Sequence, residues 1–535
     1  MKPFNASGAF LPSTDGGGLR SLAVRGAGIT LLSQGLLLGI QIIATVVLSR
    51  LLAPADFGVV AMVTTFSLLL VSFGQIGFPE AVVQRNDIDH SLVSNLFWIN
   101  IGAGLLLTIG FAAAGSLLAK FYGDPRVAHI AVGASLMIFI TSTSVLHLAL
   151  LKRAMRFSAV WGNDIVARAV SVGVSILLGW IGFGYWALVA GTVAQALSAA
   201  VGAWILCRWV PGLPRRVPGT GSAVRFAMKV YARFGGDYMT RNMDNLLVGW
   251  RFGSSSLGFY KKAYDLFALS SNQFLSVFPV AVSTLSRLNR DPVQYRRYFL
   301  GGLSVLALVG MGAGADLTLV GQDVVRLVLG PGWEASGRML TIFGPGIGVM
   351  LIYGTHGIIH LSIGTPGRWF CWGIVEITVT GLLFLLGLRW GPAGIAAAWT
   401  ASFWILIVPA FWYAGRPIQF GFTSVLAAVW KYFLASLLAG CACAAIIRGI
   451  PSAVTASSSL GALVRIVTNS LLFGALYIGA VVLLHRGYAP LRQVARLFPD
   501  MVPWRRFLRP APAVDPTYGS DASGILAATT TGDTT

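Results

Sequence analysis

The chain has 535 residues, of which 56% are hydrophobic and only 11% charged, whereas soluble globular proteins carry about 25% charged residues. Apolar stretches recur from about Gly26 to His485 with short polar breaks between them, which excludes a water-soluble fold. The formal net charge of +20 does not indicate nucleic acid binding, because the basic residues lie singly or in small clusters between apolar runs.

The cysteines predict neither a disulfide framework nor a metal site. Cys207, Cys371, Cys441 and Cys443 show no CxxC spacing and lie mostly within apolar runs, where a free thiol behaves as a small hydrophobic group. We therefore expect no metal and no cofactor.

Windows of about 20 apolar residues bounded by charge, Gly or Pro predict an all-α integral membrane protein with about fourteen transmembrane helices. The seventh and eighth spans are the least hydrophobic of the set. The predicted spans are 26–49, 57–78, 92–118, 127–149, 157–180, 185–206, 231–250, 258–284, 298–320, 339–361, 369–388, 393–414, 430–447 and 463–484.

The basic residues predict the orientation of these spans, because Lys and Arg concentrate in cytoplasmic loops. With both termini inside, about 26 of the 39 basic residues fall in cytoplasmic loops and tails and about 11 fall outside. The N-terminal residues also lack the charged-then-apolar pattern of a signal peptide. We therefore expect both termini to lie in the cytoplasm.

An internal repeat is visible when the chain is compared with itself. In each copy a span ends in an arginine, a short turn leads to a glycine, and a second span ends in Phe-Pro. The matched residues are Arg50 with Arg251, Gly58 with Gly258, Phe78 with Phe278 and Pro79 with Pro279. The second copy begins six spans after the first, so both have the same orientation, and we expect two lobes related by an axis along the membrane normal.

Several motifs resemble the Wzx-type polysaccharide-transporter flippases of the multidrug/oligosaccharidyl-lipid/polysaccharide superfamily. The first-lobe motifs are Leu48–Gly58, Ala81–Arg85 and Phe121–Pro125, and those of the second lobe are Arg241–Asn245, Leu257–Tyr260, Ala263–Tyr264, Phe278–Pro279 and Ser283–Leu288. This resemblance implies two pseudo-symmetric lobes around a central cavity, in a bacterial inner membrane. It also implies alternating access and a polyprenyl-diphosphate-linked oligosaccharide that moves from the cytoplasmic to the periplasmic leaflet.

The predicted domain organisation follows from the spans and the two lobes. The expected parts are a cytoplasmic tail (1–25), an N-lobe of helices 1–6 (26–206), a basic cytoplasmic linker (207–230), a C-lobe of helices 7–12 (231–414), helices 13–14 (415–485) and a cytoplasmic tail (486–535) that is basic and then disordered. The basic stretch Arg486–Arg509 either lies on the anionic inner leaflet or is simply solvated.

The cargo implied by the resemblance has a diphosphate, a polar sugar and an apolar tail, so a cavity must shield its head group from hydrocarbon. Arg241 is the first candidate for binding the diphosphate, because it lies within the seventh span on an unusually polar stretch with Asp237, Asp244 and Asn245. The alternative is that Arg241 pairs with one of these acids and only seals the lobe.

Further basic residues are weaker candidates for the same cavity. Arg168 in the fifth span follows an acid four residues earlier, which favours a structural ion pair. Arg50 and Arg251 end spans, where arginines commonly extend to the lipid head groups. Lys261 and Lys262 occupy the early turns of the eighth span at the predicted outer mouth, where a solvated entrance is the simpler interpretation.

Acids at or near membrane depth are candidates for binding H⁺ or Na⁺ if transport is ion-coupled. These acids are Asp237, Asp244, Glu376 and Glu80. For Glu80 the simpler interpretation is an interfacial carboxylate beside Arg85. Glu376 lies mid-span with no basic neighbour on its own helix, so it needs a partner or a proton.

Two rival functions share parts of this pattern. A multidrug exporter of the same superfamily would have the same architecture, but the cationic in-span residues argue against lipophilic cations as cargo. A membrane polysaccharide polymerase or glycosyltransferase would be expected to carry a large outer loop or an acid-rich nucleotide-sugar motif, and neither is evident. We therefore expect a transporter rather than an enzyme, with membrane lipids, the lipid-linked oligosaccharide and the polymerase and export machinery as partners, and no nucleic acid.

Overall fold

The computed structural model describes residues 3–5, 8–10, 19–75, 77–85, 88–215, 220–275, 278–449 and 459–492. These residues are helical almost throughout, and extended pairing among them is limited to two isolated β-bridges, Phe4 with Phe10 and Ala9 with Asp89. The predicted disordered tail and most of the basic stretch before it lie outside the described residues.

The first eight helices form the N-lobe. They are α1 (Leu19–Leu51), α2 (Pro54–Gln75), α3 (Phe78–Gln84), α4 (His90–Tyr122), α5 (Arg126–Ser142), α6 (Val145–Arg153), α7 (Phe157–Ile181) and α8 (Tyr185–Cys207). Local chemistry sets several ends: the Asp89 carboxylate accepts a hydrogen bond from the Leu92 amide, and Gly123 ends α4 in the left-handed conformation. α1 begins at Leu19, inside the stretch that the sequence assigned to the N-terminal tail.

The next eight helices form the C-lobe, and two more follow it. The C-lobe helices are α9 (Thr220–Leu275), α10 (Phe278–Arg287), α11 (Pro292–Val328), α12 (Glu334–Phe343), α13 (Gly346–Gly354), α14 (His356–Ser362), α15 (Pro366–Gly387) and α16 (Gly391–Gly415). The last two are α17 (Phe422–Gly449) and α18 (Ser459–His485), and both pack against α11. α9 begins at Thr220, inside the stretch assigned to the linker.

α9 is a hairpin of two arms, residues 220–252 and 254–275, separated by a non-helical residue. Gly253 has φ 79° and ψ −178°, a conformation that glycine adopts readily and other residues avoid. The Tyr260 hydroxyl lies 2.8 Å from the Asp244 carboxylate, although 16 residues of straight helix would separate them by about 24 Å. The chain therefore reverses at Gly253, and the arms correspond to the seventh and eighth predicted spans.

Ten stretches of the described residues are long and apolar enough to cross a membrane, and the bent pair formed by α12 with α13–α14 gives an eleventh. One of the ten, Pro366–Ile418, contains both α15 and α16, which pack against each other after the turn at Leu388–Trp390. The arms of α9, which carry many polar and charged residues, are not among the ten. With these helices counted separately, the described chain has a whole or broken helix at each of the fourteen predicted positions.

The two lobes break their helices at matching places, which extends the repeat seen in the sequence. In the N-lobe α3 begins at Phe78 after the non-helical Gly77, and in the C-lobe α10 begins at the equivalent Phe278. The fourth helix of each lobe is interrupted at a threonine, Thr143 or Thr355, whose hydroxyl bonds the carbonyl three residues earlier at 2.7 Å. The short helices beyond these breaks also pack in equivalent pairs, α3 with α6 and α10 with α14.

Exposed aromatic side chains gather near both ends of the helices, as the membrane interfaces require. We call the end with the turns at residues 182–184, Gly253 and 388–391 the outer end, following the predicted orientation, and the opposite end the inner end. Exposed aromatic residues near the outer end are Phe121, Trp180, Phe183, Trp186, Trp250 and Trp390. Those near the inner end are Trp98, Trp204, Tyr298, Phe370, Trp412, Trp430 and Tyr488.

The lobes join at the outer end, where one hydrophobic core contains buried residues of both. At its centre the glycines of the repeat meet: a Cβ on Gly58 would lie 1.7 Å from the Ser254 carbonyl oxygen, and one on Gly258 would lie 1.8 Å from that of Pro54. The two contacts are reciprocal, as expected when both copies contribute the same surface to a two-fold interface. A second core, around Phe78, fills the inner end of the N-lobe, with residues from the start of α9.

Candidate functional site

The hairpin of α9 brings most of the predicted C-lobe residues together. Asp244 on the first arm is fully buried and accepts hydrogen bonds from the Tyr260 hydroxyl at 2.8 Å and the Asn245 amide at 2.7 Å. Asn245 is 3% exposed, and its side-chain oxygen has no hydrogen-bond partner. These contacts hold Asp244 between the two arms, and the ion pairs among the described residues do not include one between Asp244 and Arg241. The side chain of the other acid predicted to pair with it, Asp237, lies outside the described residues.

Arg241 lies one turn before Asp244 on the same arm, at the border of its buried face. Its side chain is exposed, whereas Asp244, three residues further on, is fully buried. The guanidinium is still within electrostatic range of Tyr264 on the second arm. The first arm of α9 therefore carries a buried acid and an exposed cation within one helical turn.

The second arm adds cationic and aromatic groups close to Asp244. Lys261 forms an ion pair with Asp265 at 2.7 Å and lies 5.6 Å from the centre of the Tyr264 ring. Lys262 is 8% exposed, and its ammonium lies 4.0 Å from the centre of the Phe57 ring on α2, so it contacts the N-lobe. The two lysines thus differ in burial and in partner. Lys261 is partly exposed and forms an ion pair, whereas Lys262 is buried where the lobes meet.

Arg168 lies on α7 of the N-lobe, apart from this cluster. Trp161 donates a hydrogen bond to Thr30 on α1 at 3.0 Å, and Asp164 and Arg168 follow it by three and seven residues, so all three share the face of α7 toward α1. Asp164 and Arg168 are half-buried and within electrostatic range of each other. They do not form a direct ion pair within 4.0 Å in the part of the chain that the structure describes.

The two arginines of the repeat do not join the cluster either. Arg50 donates a hydrogen bond to the Leu327 carbonyl at the end of α11 at 3.0 Å, next to the Ser49 hydroxyl, which donates to Leu329 at 3.1 Å. Trp333 returns a hydrogen bond to the Ser49 carbonyl, also at 3.0 Å. Arg50 therefore fastens the lobes together at the outer end, whereas its repeat partner Arg251 is exposed and lies 5.9 Å from the neighbouring Phe252 ring.

The remaining acids have local partners. Glu80 accepts a hydrogen bond from the Gly77 amide and so caps the start of α3, while Arg85 reaches the Ser222 hydroxyl. Glu376 is half-buried and bonds the hydroxyl of Tyr353 on α13, which also accepts a hydrogen bond from Trp372 at 2.9 Å. The partner that Glu376 needs is therefore a hydroxyl on another helix of the C-lobe.

One acid at membrane depth was missed by the sequence reasoning. Asp316, within the ninth predicted span, accepts a hydrogen bond from Ser470 on α18 at 2.9 Å, and its second carboxylate oxygen is buried without a partner. Nearby, Arg465 of α18 pairs with Asp323 at 2.6 Å. A search for acids inside apolar spans would have found Asp316, because its span carries no other charged residue between positions 298 and 315.

The fold is similar to those of two solved transporters. The lipid II flippase MurJ in an inward closed conformation gives a TM-score of 0.69 at 13% identity and covers 86% of this chain and 99% of that chain. An inward-facing multidrug resistance MATE family transporter of the MOP superfamily gives a TM-score of 0.55 at 12% identity. The match covers 71% of this chain and 94% of that chain. These likenesses establish the two-lobed helical membrane fold of that superfamily, as predicted.

The chain belongs to the polysaccharide biosynthesis protein family, whose model matches residues 47–337, more than half of its length. It is 22% identical over 360 residues to the succinoglycan biosynthesis transport protein ExoT of Rhizobium meliloti (strain 1021), covering 66% of this chain and 72% of that protein. It is 23% identical over 378 residues to the teichuronic acid biosynthesis protein TuaB of Bacillus subtilis (strain 168), covering 68% and 76%. It is 20% identical over 324 residues to the lipopolysaccharide biosynthesis protein WzxC of Escherichia coli (strain K12), covering 59% of this chain and 65% of that protein.

Proposed function

We propose that this protein moves a polyprenyl-diphosphate-linked oligosaccharide from the cytoplasmic to the periplasmic leaflet by alternating access. The observation that carries the proposal is the exposed Arg241 on a polar hairpin between membrane-spanning helices of a polysaccharide biosynthesis family member. An arginine at this depth costs about 2.5 to 3.5 kcal/mol even on insertion-based scales, so an exposed arginine there is a candidate for binding an anionic head group. The names of the relatives, which include a succinoglycan transport protein, support the same class of cargo.

The contacts between the lobes support the proposed direction of access. Arg50, Ser49 and Trp333 close the outer end through hydrogen bonds between the lobes, and the glycine pair brings α2 against the second arm of α9. An outer end that is closed leaves the inner side as the route by which cargo reaches Arg241. We expect the sugar and diphosphate to enter between the lobes while the tail stays in lipid.

The multidrug exporter remains the alternative for a protein with this fold. The positively charged groups around the hairpin, Arg241 and Lys261, favour an anionic head group over a lipophilic cation. Coupling to H⁺ or Na⁺ belongs to the proposal with Asp244 as the candidate acid, because it is buried between the two arms that carry the cationic groups. Varying the imposed ion gradient in the transport assay tests that part.

Replacement of Arg241 tests the proposed function directly. Arg241→Ala should abolish polymer export, and the lipid-linked repeat unit should accumulate, while the protein still inserts at its normal level. Arg241→Lys should keep part of the activity, because a diphosphate accepts a point charge even where bidentate contact is lost. The matched control is Arg448→Ala, which removes an equally exposed arginine from α17.

The alternative role of Arg241 predicts a different result. If Arg241 only pairs with Asp237, Arg241→Ala would leave a carboxylate without its partner and reduce the amount of folded protein, and the further change Asp237→Asn would restore it. Full export by a normally expressed Arg241→Ala protein would remove the residue from the transport path and contradict the proposal.

A further inference from the structure

A second buried polar cluster lies in the C-lobe toward its inner end, away from the α9 hairpin. Its centre is a pair of histidines one turn apart on α14, with ring centres 6.1 Å apart. His356 is 4% exposed and His360 is fully buried, and the Nε2 atom of each has no hydrogen-bond partner. Buried polar atoms are rarely left unpaired, so two in one helical turn indicate a site that binds something.

The hydrogen bonds of the other ring nitrogens define the state of the pair. His356 Nδ1 lies 2.6 Å from the Tyr353 carbonyl oxygen, which can only accept, so Nδ1 carries the hydrogen. His360 Nδ1 lies 3.2 Å from the Thr365 hydroxyl. The Nε2 atom of His356 is therefore a bare acceptor in the neutral ring, and the ligand that an imidazole acceptor takes up from water is a proton.

The two histidine rings face different neighbouring groups. Toward His356, Trp372 donates a hydrogen bond to the Tyr353 hydroxyl, which also interacts with the Glu376 carboxylate. Toward His360, Arg368 lies 4.2 Å from the centre of the Tyr413 ring and opposes a second positive charge. The charged and titratable groups around the pair are Tyr353 on α13, Arg368 and Glu376 on α15, Tyr413 on α16 and, through Ser362, Tyr295 on α11.

The helix that carries the pair is a short segment of a broken span. The span bends by 48° between α12 and α13 and breaks again at Thr355. α14 packs against α10, the continuation of the α9 hairpin, and a Cβ on Gly357 would lie 3.3 Å from the Phe278 ring. A charge on this segment would act directly on the contact between α14 and α10.

We propose that His356 and His360 form a proton-binding site that loosens the contact between α14 and α10 when the cytoplasm becomes acidic. Both rings are buried, and a proton on Nε2 would place an unpaired donor and a charge among apolar groups. The protonated form is therefore stable only after α14 moves and water reaches the rings. This inference concerns the inner end of the C-lobe and does not depend on the identity of the cargo.

Hydrogen exchange in the full-length protein tests the proposal without cargo. Exchange of the segment 353–365 is measured at about pH 7.5 and about pH 5.5, which bracket the ordinary imidazole pKa of about 6.5, and is corrected for the intrinsic rate. If one imidazole takes up a proton only in the opened form, opening should increase about tenfold at the lower pH. In a His356→Gln, His360→Gln double variant, the corrected exchange of the same segment should not differ between the two pH values.

His147→Gln is the matched control. His147 lies on α6, the N-lobe equivalent of α14, and is fully buried against Trp204 and Trp209 with no second histidine in the next turn. This variant and Arg241→Ala should both keep the pH response of segment 353–365. Unchanged exchange in the wild type, which needs no variant to fold, would overturn the proposal, and so would a full response in the double histidine variant. Loss of export in the Arg241 experiment would leave the result intact.

Discussion

Three of the acids within the predicted spans share one kind of partner, a hydroxyl on another helix or arm. Asp244 bonds Tyr260, Glu376 bonds Tyr353 and Asp316 bonds Ser470. A hydroxyl donates to a carboxylate and also accepts from a carboxylic acid, so each pair tolerates either protonation state. The hydrogen-bond partners alone therefore do not identify the acid that would couple transport to an ion. The position of the acid favours Asp244, because it lies beside the cationic residues of the α9 hairpin.

Asp124, in the outer loop between α4 and α5, allows a prediction about pH. The Arg126 guanidinium hydrogen-bonds this carboxylate at 2.7 Å and holds its pKa below the ordinary value, and Arg126 also donates to Ser254 at 3.1 Å across the lobes. A depressed pKa stabilises the folded protein above the unfolded value of about 3.9, and this contribution is lost as the pH falls further. Asp124→Asn should therefore lower the melting temperature at neutral pH, and the difference from wild type should shrink progressively as the pH falls below about 3.9 through the lower folded-state pKa.

The expected difference is small, because the Arg126 side chain is 39% exposed and water screens the pair. Arg126→Gln should reproduce the effect of Asp124→Asn, and the double variant should add little to either change. Equal melting temperatures of wild type and Asp124→Asn at neutral pH would contradict this account of the loop.

At the scale of elements, helices are interrupted in pairs that obey the repeat. The breaks at Thr143 and Thr355, with the start of α3 at Phe78 and of α10 at Phe278, define short inner segments that pack in equivalent pairs in both lobes. In contrast, the outer halves of α2 and of the second arm of α9 are in direct backbone contact. The inner segments are therefore the parts of each lobe best able to change position, because a break absorbs rotation that a continuous helix resists.

The glycine contact between the lobes gives a prediction at this scale. Gly58→Ala and Gly258→Ala would each place a methyl group less than 2 Å from a carbonyl oxygen of the other lobe, so the helices must separate. Each variant should lower the melting temperature and raise the labelling rate of a cysteine placed at Ser254. The control is Gly102→Ala on α4, where no atom lies within 4 Å of the new methyl group.

Helix propensity alone predicts that replacing these glycines by alanine would raise the stability of the protein rather than lower it. Replacing glycine by alanine within a helix stabilises it by about 1 kcal/mol when space is available, so Gly102→Ala should be neutral or stabilising. If Gly58→Ala and Gly258→Ala behaved like the control, the close approach of the two lobes would be wrong.

At the scale of the whole molecule, one compact unit, Met1–Pro490, contains both lobes and α17–α18. The lobes share a core at the outer end, whereas the core around Phe78 at the inner end is built by the N-lobe and the start of α9. Because α9 is the first helix of the C-lobe, the lobes are also in contact around this inner core. The division into domains by residue number remains a prediction.

The topology of the whole chain is tested by reporter fusions. Because basic residues favour the cytoplasmic side, reporters placed ahead of Met1 and after residue 490 should both be active in the cytoplasm. A reporter inserted at the turn between α7 and α8, residues 182–184, should be periplasmic and serves as the control. A periplasmic signal at either terminus would overturn the orientation and, with it, the assignment of the outer end.

The sequence by itself determined the membrane class, the helix positions and the repeat. Hydrophobic length is a local property of about 20 residues, and motifs such as Phe78-Pro79 are local as well, so both can be read without knowing the neighbours. The polar stretch around Arg241 also showed in the sequence, because polar residues are conspicuous within a span. The tertiary structure did not change these assignments, and the comparisons confirmed the family and the fold.

Only the tertiary structure decided which partner each polar residue has, because those partners are distant in the chain. Arg50 bonds a carbonyl 277 residues away and so fastens the lobes, which no spacing rule on its own helix could show. From the sequence alone, Asp244 could also have paired with Arg241. The chain reversal at Gly253 instead brings the Tyr260 hydroxyl to Asp244, and the Arg241 side chain is exposed. Sequence patterns report which residues share a helical face, whereas the packing between helices decides which of those faces is buried.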